Sequence, residues 1–119
     1  MRYFCTYFDR NYLSRGLALY RSLARTFSSF QLWILCMDSE CYELLTRFQL
    51  PHVRLMSIAE LEAADPELQA TKGTRSRIEY YFTCSPSLPL YLLKSHAEVD
   101  VMTYVDADLY FFSDAEPIF

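Results

Sequence analysis

Glycine is scarce in this chain, whose 119 residues include only Gly16 and Gly73. A phosphate-binding loop of the dinucleotide or P-loop type needs several closely spaced glycines, because its backbone must approach the phosphate without Cβ atoms in the way. The sequence therefore excludes both loop types.

Long apolar runs and an excess of positive charge are also missing. No run reaches the roughly 18 apolar residues of a membrane span, and the first run is broken at Asp9 and Arg10, so we expect neither a signal peptide nor a membrane span. Eleven basic residues face fifteen acidic ones, a net charge of -4. We therefore expect no nucleic-acid partner and no general attraction to anionic membranes.

The chain contains no Cys-x-x-Cys pair, so the spacing of a zinc or redox site is absent. Two of its four cysteines lie inside apolar runs, where a thiol behaves as a small hydrophobic side chain. We expect all four to be reduced and the protein to be cytoplasmic. They are Cys5, Cys36, Cys41 and Cys84.

Apolar residues are plentiful, at 52% of the chain, and their spacing predicts an α/β fold. Strands are predicted at 3–8, 31–37, 53–57 and 99–112, and helices at 13–27, 39–48, 58–64, 74–83 and 88–92. Prolines 86 and 89 are expected to separate the last two helices. The alternation predicts one domain over 1–119, a mostly parallel Rossmann-like sheet with helices on both faces, cut off soon after the last strand.

Asp106 and Asp108 stand two positions apart in the last predicted strand, so their side chains are expected on the same face. A buried pair of carboxylates needs compensation, which Mg²⁺ or Mn²⁺ provides. A bare Asp-x-Asp triplet usually only solvates a strand end. Here the pair lies between an apolar strand and Leu-Tyr-Phe-Phe, which favours a metal site.

Other polar residues are expected near this pair if the strand order is 3-2-1-4, because the ends of strands 1 and 4 then form a crevice. Asp9 is placed either to accept a hydrogen bond from a base or ribose or to cap the next helix. Tyr7 and Phe8 either stack on a base or belong to the core. Arg75, in a basic cluster with Lys72 and Arg77, either clamps a diphosphate or is merely solvated.

Three segments together resemble glycosyltransferases of the GT-A fold, and more closely the family 8-like nucleotide-diphospho-sugar transferases. They are Tyr-Val-Asp-Ala-Asp-Leu-Tyr-Phe-Phe at 104–112, Phe-Cys-Thr-Tyr-Phe-Asp at 4–9 before a helix with Gly16-Leu17, and Thr-Arg-Ser at 74–76 with Thr-Cys-Ser-Pro at 83–86. The similarity extends over essentially the whole chain.

This resemblance implies a nucleoside-diphosphate sugar donor, in the first place a UDP-sugar. It also implies a Mn²⁺ or Mg²⁺ cofactor and transfer of the sugar to a hydroxyl of a saccharide, lipid or protein acceptor. Asp106 would contact the ribose or the metal, and Asp108 would ligate the metal. Thr6, Tyr7 and Asp9 would contact the nucleoside, and Arg75 would approach the donor.

In that family the acceptor residues and a further metal ligand, usually a histidine, follow the region that corresponds to Phe119. The resemblance therefore implies the donor-binding part of a glycosyltransferase domain, which we expect to be unable to complete catalysis alone, and it assigns no catalytic residue. Two alternatives stay open. One is a non-catalytic or truncated nucleotide-sugar-binding or interaction module. The other, less favoured because no glycine stands between strand 1 and Gly16, is a sugar nucleotidyltransferase.

Overall fold

Within residues 1–112 the sheet has four parallel strands in the order β3-β2-β1-β4. A computed structural model describes residues 1–112, apart from the side chain of Ile78. The strand order that the sequence analysis assumed is confirmed, and β1 has its sequence neighbour β2 on one side and the last strand on the other. The strands are β1 (Arg2–Phe8), β2 (Phe30–Cys36), β3 (Val53–Ser57) and β4 (Met102–Tyr104).

Helices cover both faces of this sheet, as predicted. The first two pack on one face and the other three on the opposite face, each with its own apolar core. Short 3-10 turns at Arg10–Tyr12 and Lys72–Thr74 precede α1 and α5. The helices are α1 (Leu13–Thr26), α2 (Ser39–Phe48), α3 (Ile58–Ala64), α4 (Pro66–Thr71) and α5 (Arg77–Ser95).

The alternation of side chains along β1 divides the two cores. Phe4 and Phe8 point toward α1 and α2, while Cys5 and Tyr7 point toward α5. A strand covered on both faces is expected to be almost continuously apolar, and β1 and β2 follow that rule. All four cysteines are free and buried, which confirms that their thiols act as small hydrophobic groups.

The last strand is much shorter than predicted. It was expected over 99–112, but it comprises only Met102–Tyr104, and the pairing with β1 ends where the Val105 amide donates to the Cys5 carbonyl. Beyond that point the Leu109 amide donates to the Asp106 carbonyl at 3.0 Å and closes a turn. The prediction of an extended Asp-Ala-Asp segment was wrong, because its pairing with β1 stops at Tyr104 and no other strand among residues 1–112 pairs with it.

The predicted break between two helices near residue 86 was also wrong, since α5 is one helix of 19 residues with Pro86 and Pro89 inside it. Each proline removes one helical hydrogen bond. Cys84, Leu88 and Leu92 nevertheless recur every fourth residue and are all buried against the sheet, so packing holds the helix together.

Two further expectations concern the ends of helices. Asp65 and Pro66 end α3 as predicted, but they also begin α4, where the Asp65 side chain accepts a hydrogen bond from the Leu68 amide. Phe82, predicted to face inward, is 68% exposed. The predicted inward side chain of Ile78 and the predicted turn at 113–114 lie outside the described residues.

Candidate functional site

A cleft of about 620 Å³ opens beyond the carboxyl ends of β1 and β4. This is the position where the strand order reverses, and ligands of open α/β sheets bind at such a point. The cleft is lined by residues from the end of β1, the start of α1, the first turns of α5 and the segment after β4. They are Tyr7, Phe8, Asp9, Asn11, Tyr12, Arg15, Arg77, Tyr81, Phe82, Tyr104, Asp106, Ala107 and Asp108.

Asp106 and Asp108 both line this cleft, as predicted, but their setting differs from the prediction. Both residues are exposed, so they are not a buried pair whose repulsion requires a cation. Val105, which is 5% exposed, anchors the turn that carries them. The turn therefore offers two hydrated carboxylates to the cleft.

The described part of the chain contains no group of three or more histidine, cysteine, aspartate or glutamate side chains suited to a metal. Two protein carboxylates are nevertheless enough to bind Mg²⁺, because this ion typically keeps several water ligands and takes further oxygen ligands from the phosphates of a substrate. Asp106 and Asp108 thus fit a divalent cation that is held jointly with a phosphorylated ligand.

Asp9 lies buried at the end of β1 and uses both carboxylate oxygens. Oδ1 accepts the Asn11 amide at 2.9 Å, so Asp9 caps the turn before α1. Asn11 is also of a residue type that favours the N-cap position, but a prediction of the cap at Asn11 is wrong. Oδ2 accepts from Arg77 Nη2 and from the Tyr81 hydroxyl, each at 3.1 Å. A carboxylate has about four acceptor positions, so one is left for a ligand.

Arg77, Tyr81 and Asp9 form a closed triangle of hydrogen bonds. Arg77 Nε donates to the Tyr81 oxygen at 3.1 Å. The hydrogen bond to Tyr81 and then the negative charge of Asp9 raise the pKa of Arg77, while burial raises the pKa of Tyr81. The guanidinium therefore stays charged, and the phenol keeps the proton that it donates to Asp9.

The two other residues predicted on β1 have different surroundings. Tyr7 lines the cleft, with its ring centroid 6.0 Å from that of Tyr104 and 6.1 Å from that of Tyr81. Thr6 is fully buried, its hydroxyl has no hydrogen-bond partner within residues 1–112, and it is not among the residues that line the cleft. Direct contact between Thr6 and a nucleoside would require the end of β1 to move.

Arg75 does not line the main cleft but a smaller neighbouring cavity of about 310 Å³. Arg77 was predicted only as a member of the basic cluster, and Tyr12 and Tyr81 were not predicted as site residues. The spacing of Arg77 and Tyr81, one helical turn apart and just after the predicted helix start, was the signal that both side chains share one face.

The sequence of the chain is similar to those of two uncharacterized proteins of Bacillus subtilis (strain 168). It is 33% identical to YfnF over 116 residues, which is 98% of this chain and 38% of YfnF. It is 32% identical to YfnD over 117 residues, which is 98% of this chain and 37% of YfnD. No family profile matches the chain. The chain thus spans less than two fifths of the length of the curated relatives that it matches.

Within residues 1–112 no helix has the length and apolar character to cross a membrane.

Proposed function

We propose that this chain is the donor-binding part of a metal-dependent glycosyltransferase of the GT-A type. Its ligand is a nucleoside-diphosphate sugar, in the first place a UDP-sugar, whose sugar passes to an acceptor hydroxyl. One observation carries the proposal: a single cleft at the reversal of strand order is lined by the carboxylates of Asp106 and Asp108 and by the guanidinium of Arg77.

Aromatic side chains at the mouth of the cleft support a nucleoside. Tyr12 is 46% exposed, and the Arg15 guanidinium lies 5.0 Å from its ring centroid, so one ring face is already occupied by a cation. The other face suits a flat base, since stacking between aromatic rings is favourable in offset geometry. Asn11, which also lines the cleft, adds an amide that can both donate and accept hydrogen bonds.

Opposite charges in the cleft suit a diphosphate bound with a cation. Asp106 and Asp108 would hold Mn²⁺ or Mg²⁺, which when bound stabilises negative charge on the departing diphosphate. Two of the five guanidinium N–H groups of Arg77 are occupied by Asp9 and Tyr81. The others are available to phosphate oxygens, and the pairing of arginine with phosphate is often bidentate.

In this proposal the present chain binds the donor but does not complete the transfer. The relatives are much longer than the part that matches this chain, and we propose that the acceptor site belongs to such a further part of the protein. The four buried free thiols suit a reducing compartment, and we therefore place the protein in the cytoplasm.

Calorimetric titration of UDP with and without Mn²⁺ tests the proposal. We expect binding that depends on Mn²⁺ and is weakened roughly tenfold or more in Asp108→Asn, because an amide is a much poorer ligand for a hard cation. Asp100→Asn is the matched control. Asp100 is exposed and precedes β4, so it lies at the opposite end of that strand from the cleft.

The possible results separate the parts of the proposal. Binding of equal strength without Mn²⁺, or unchanged in Asp108→Asn, would reject the metal site and leave a nucleotide site. Absence of UDP binding under every condition would reject donor binding altogether.

A second candidate function is that of an interaction module, and it is favoured by a different surface. The face of α5 that points away from the sheet carries an exposed apolar stripe, which comprises Phe82, Pro86, Leu90 and Leu93. Apolar patches of this kind often mark contacts with other proteins. Light scattering that detects a stable oligomer, lost in Leu90→Gln with Leu93→Gln, would support this alternative.

A further inference from the structure

A second cavity, which we call the side cavity, adjoins the cleft and shares Arg77 and Tyr81 with it. Its volume of about 310 Å³ is at the lower end of the range for small-molecule sites. Its lining consists of Met37, Ile58, Lys72, Arg75, Ser76, Arg77, Tyr80 and Tyr81.

The charged side chains that line the side cavity are all positive. Lys72, Arg75 and Arg77 contribute cations, and no carboxylate is among the described lining residues. Lys72 pairs with Glu62 at 3.1 Å, and Arg77 pairs with Asp9 at 3.1 Å. Arg75 forms neither a salt bridge nor a side-chain hydrogen bond within residues 1–112, so one positive charge is left without a directly bonded carboxylate.

One wall of the side cavity is held in place by a buried hydrogen-bond network. The Tyr80 hydroxyl donates to Glu62 Oε2 at 2.6 Å, and the Lys72 ammonium lies 3.1 Å from the same oxygen. Glu62 is 7% exposed and Tyr80 is 5% exposed, so the bond between them has little access to water. The Lys72 side chain is 56% exposed and reaches this buried pair from the surface, which places its ammonium at the cavity.

The uncharged residues that line the side cavity suit the carbon skeleton of a ligand that also carries an anionic group. Met37 and Ile58 supply apolar contacts, while the phenol rings of Tyr80 and Tyr81 supply flat faces. Arg77 borders both spaces, so a phosphate that contacts Arg77 in the cleft would lie next to the side cavity.

We propose that the side cavity is an anion subsite that receives a carboxylate carried by the sugar of the donor, so that the chain prefers a uronosyl donor to one with a neutral hexose. This inference rests on the proposed function, since the nucleotide and diphosphate occupy the cleft. Arg75 is the residue that determines the preference, because its charge is the one without a bonded carboxylate.

Calorimetry in the presence of Mn²⁺ with UDP, UDP-glucose and UDP-glucuronate tests this inference on the whole chain. We expect UDP-glucuronate to bind about tenfold more tightly than UDP-glucose, the usual size of one charge-assisted hydrogen bond. In Arg75→Gln this preference should disappear while UDP affinity stays unchanged. Arg21→Gln, which removes the same charge from an exposed position on α1 across the sheet, should preserve it.

Three results would overturn the inference. Equal affinity of the wild-type chain for both sugar nucleotides would reject it and leave the proposed function intact. A loss of UDP affinity in Arg75→Gln as large as the loss for UDP-glucuronate would place the diphosphate, and not a sugar carboxylate, beside Arg75. No binding of UDP itself would reject the proposed function, and this inference with it.

Discussion

At the scale of single residues, the ring of Phe8 explains why α1 contains a glycine at position 16, since it leaves no room for a side chain there. A Cβ atom at this position would lie 2.4 Å from two carbons of the Phe8 ring, which is 3% exposed at the end of β1. A glycine inside a helical pattern costs about 1 kcal/mol and therefore predicts a close neighbour, which the Phe8 ring confirms. The identity of the neighbour depends on tertiary structure and could not be predicted.

Substitution of Gly16 by alanine should lower the free energy of unfolding. Overpacking costs about 1–3 kcal/mol, which exceeds the gain of roughly 1 kcal/mol from replacing glycine in a helix. Urea denaturation measures the difference. Gly73→Ala is the matched control, since nothing lies within 4 Å of its added Cβ. A Gly16→Ala variant as stable as the wild type would mean that the Phe8 ring moves aside easily.

Asp9 shows how far a single residue can be interpreted from sequence. Its role as a cap was one of the two predictions, and it depends on an amide only two positions along the chain. Its bond to Arg77 crosses 68 positions, and no local pattern indicates it. Through this bond the capping residue Asp9 also holds the guanidinium of Arg77 in the cleft.

At the scale of elements, the predictions succeeded where local chemistry sets the boundaries. The bounds of β3 and α3 were predicted to the residue, and Ser57 and Glu60 form a capping box between them. The extent of β4 and the continuity of α5 depend instead on a partner strand and on a buried face. The spacing of apolar residues along the sequence reveals neither the partner strand of β4 nor the buried face that keeps α5 continuous.

The capping box at the start of α5 should give the protein a specific sensitivity to acid. Hydrogen bonds from the Ser76 amide and then from its side chain lower the pKa of Glu79 below its usual value of about 4.3. Its stabilising contribution is therefore complete above that value and is lost as the pH falls through the lowered pKa. Gln at this position keeps a carbonyl acceptor but does not titrate.

Thermal unfolding followed by circular dichroism between pH 6 and pH 3 checks this expectation. The melting temperature of the wild type should fall more steeply than that of Glu79→Gln. Glu43→Gln removes a carboxylate from an exposed position on α2 and should melt like the wild type. Parallel curves for the wild type and Glu79→Gln would show that the cap adds no acid dependence.

At the scale of the whole molecule, the four thiols should report on global unfolding. They lie in both cores, and burial raises the pKa of Cys5 to about 12 and that of Cys84 to about 11. Few thiolates exist near neutral pH, and the sulfurs are shielded from reagents. We expect native labelling by a thiol reagent to be slow and all four sites to become reactive together in urea.

Mass spectrometry of the labelled peptides measures each site separately. Ser28→Cys, at an exposed position between α1 and β2, is the positive control and should react within the mixing time. Rapid modification of one native cysteine would mean that its part of the core opens independently of the rest.

The pairing of Tyr3 with Met102 has a consequence for how the protein is made. During synthesis β1 leaves the ribosome well before β4, the strand that pairs with its second edge, because β4 begins only at Met102. Long-range parallel pairing is slow to form. The nascent chain therefore carries an unpaired edge on β1 until β4 has been made, and the cleft forms only in molecules in which these two strands have paired.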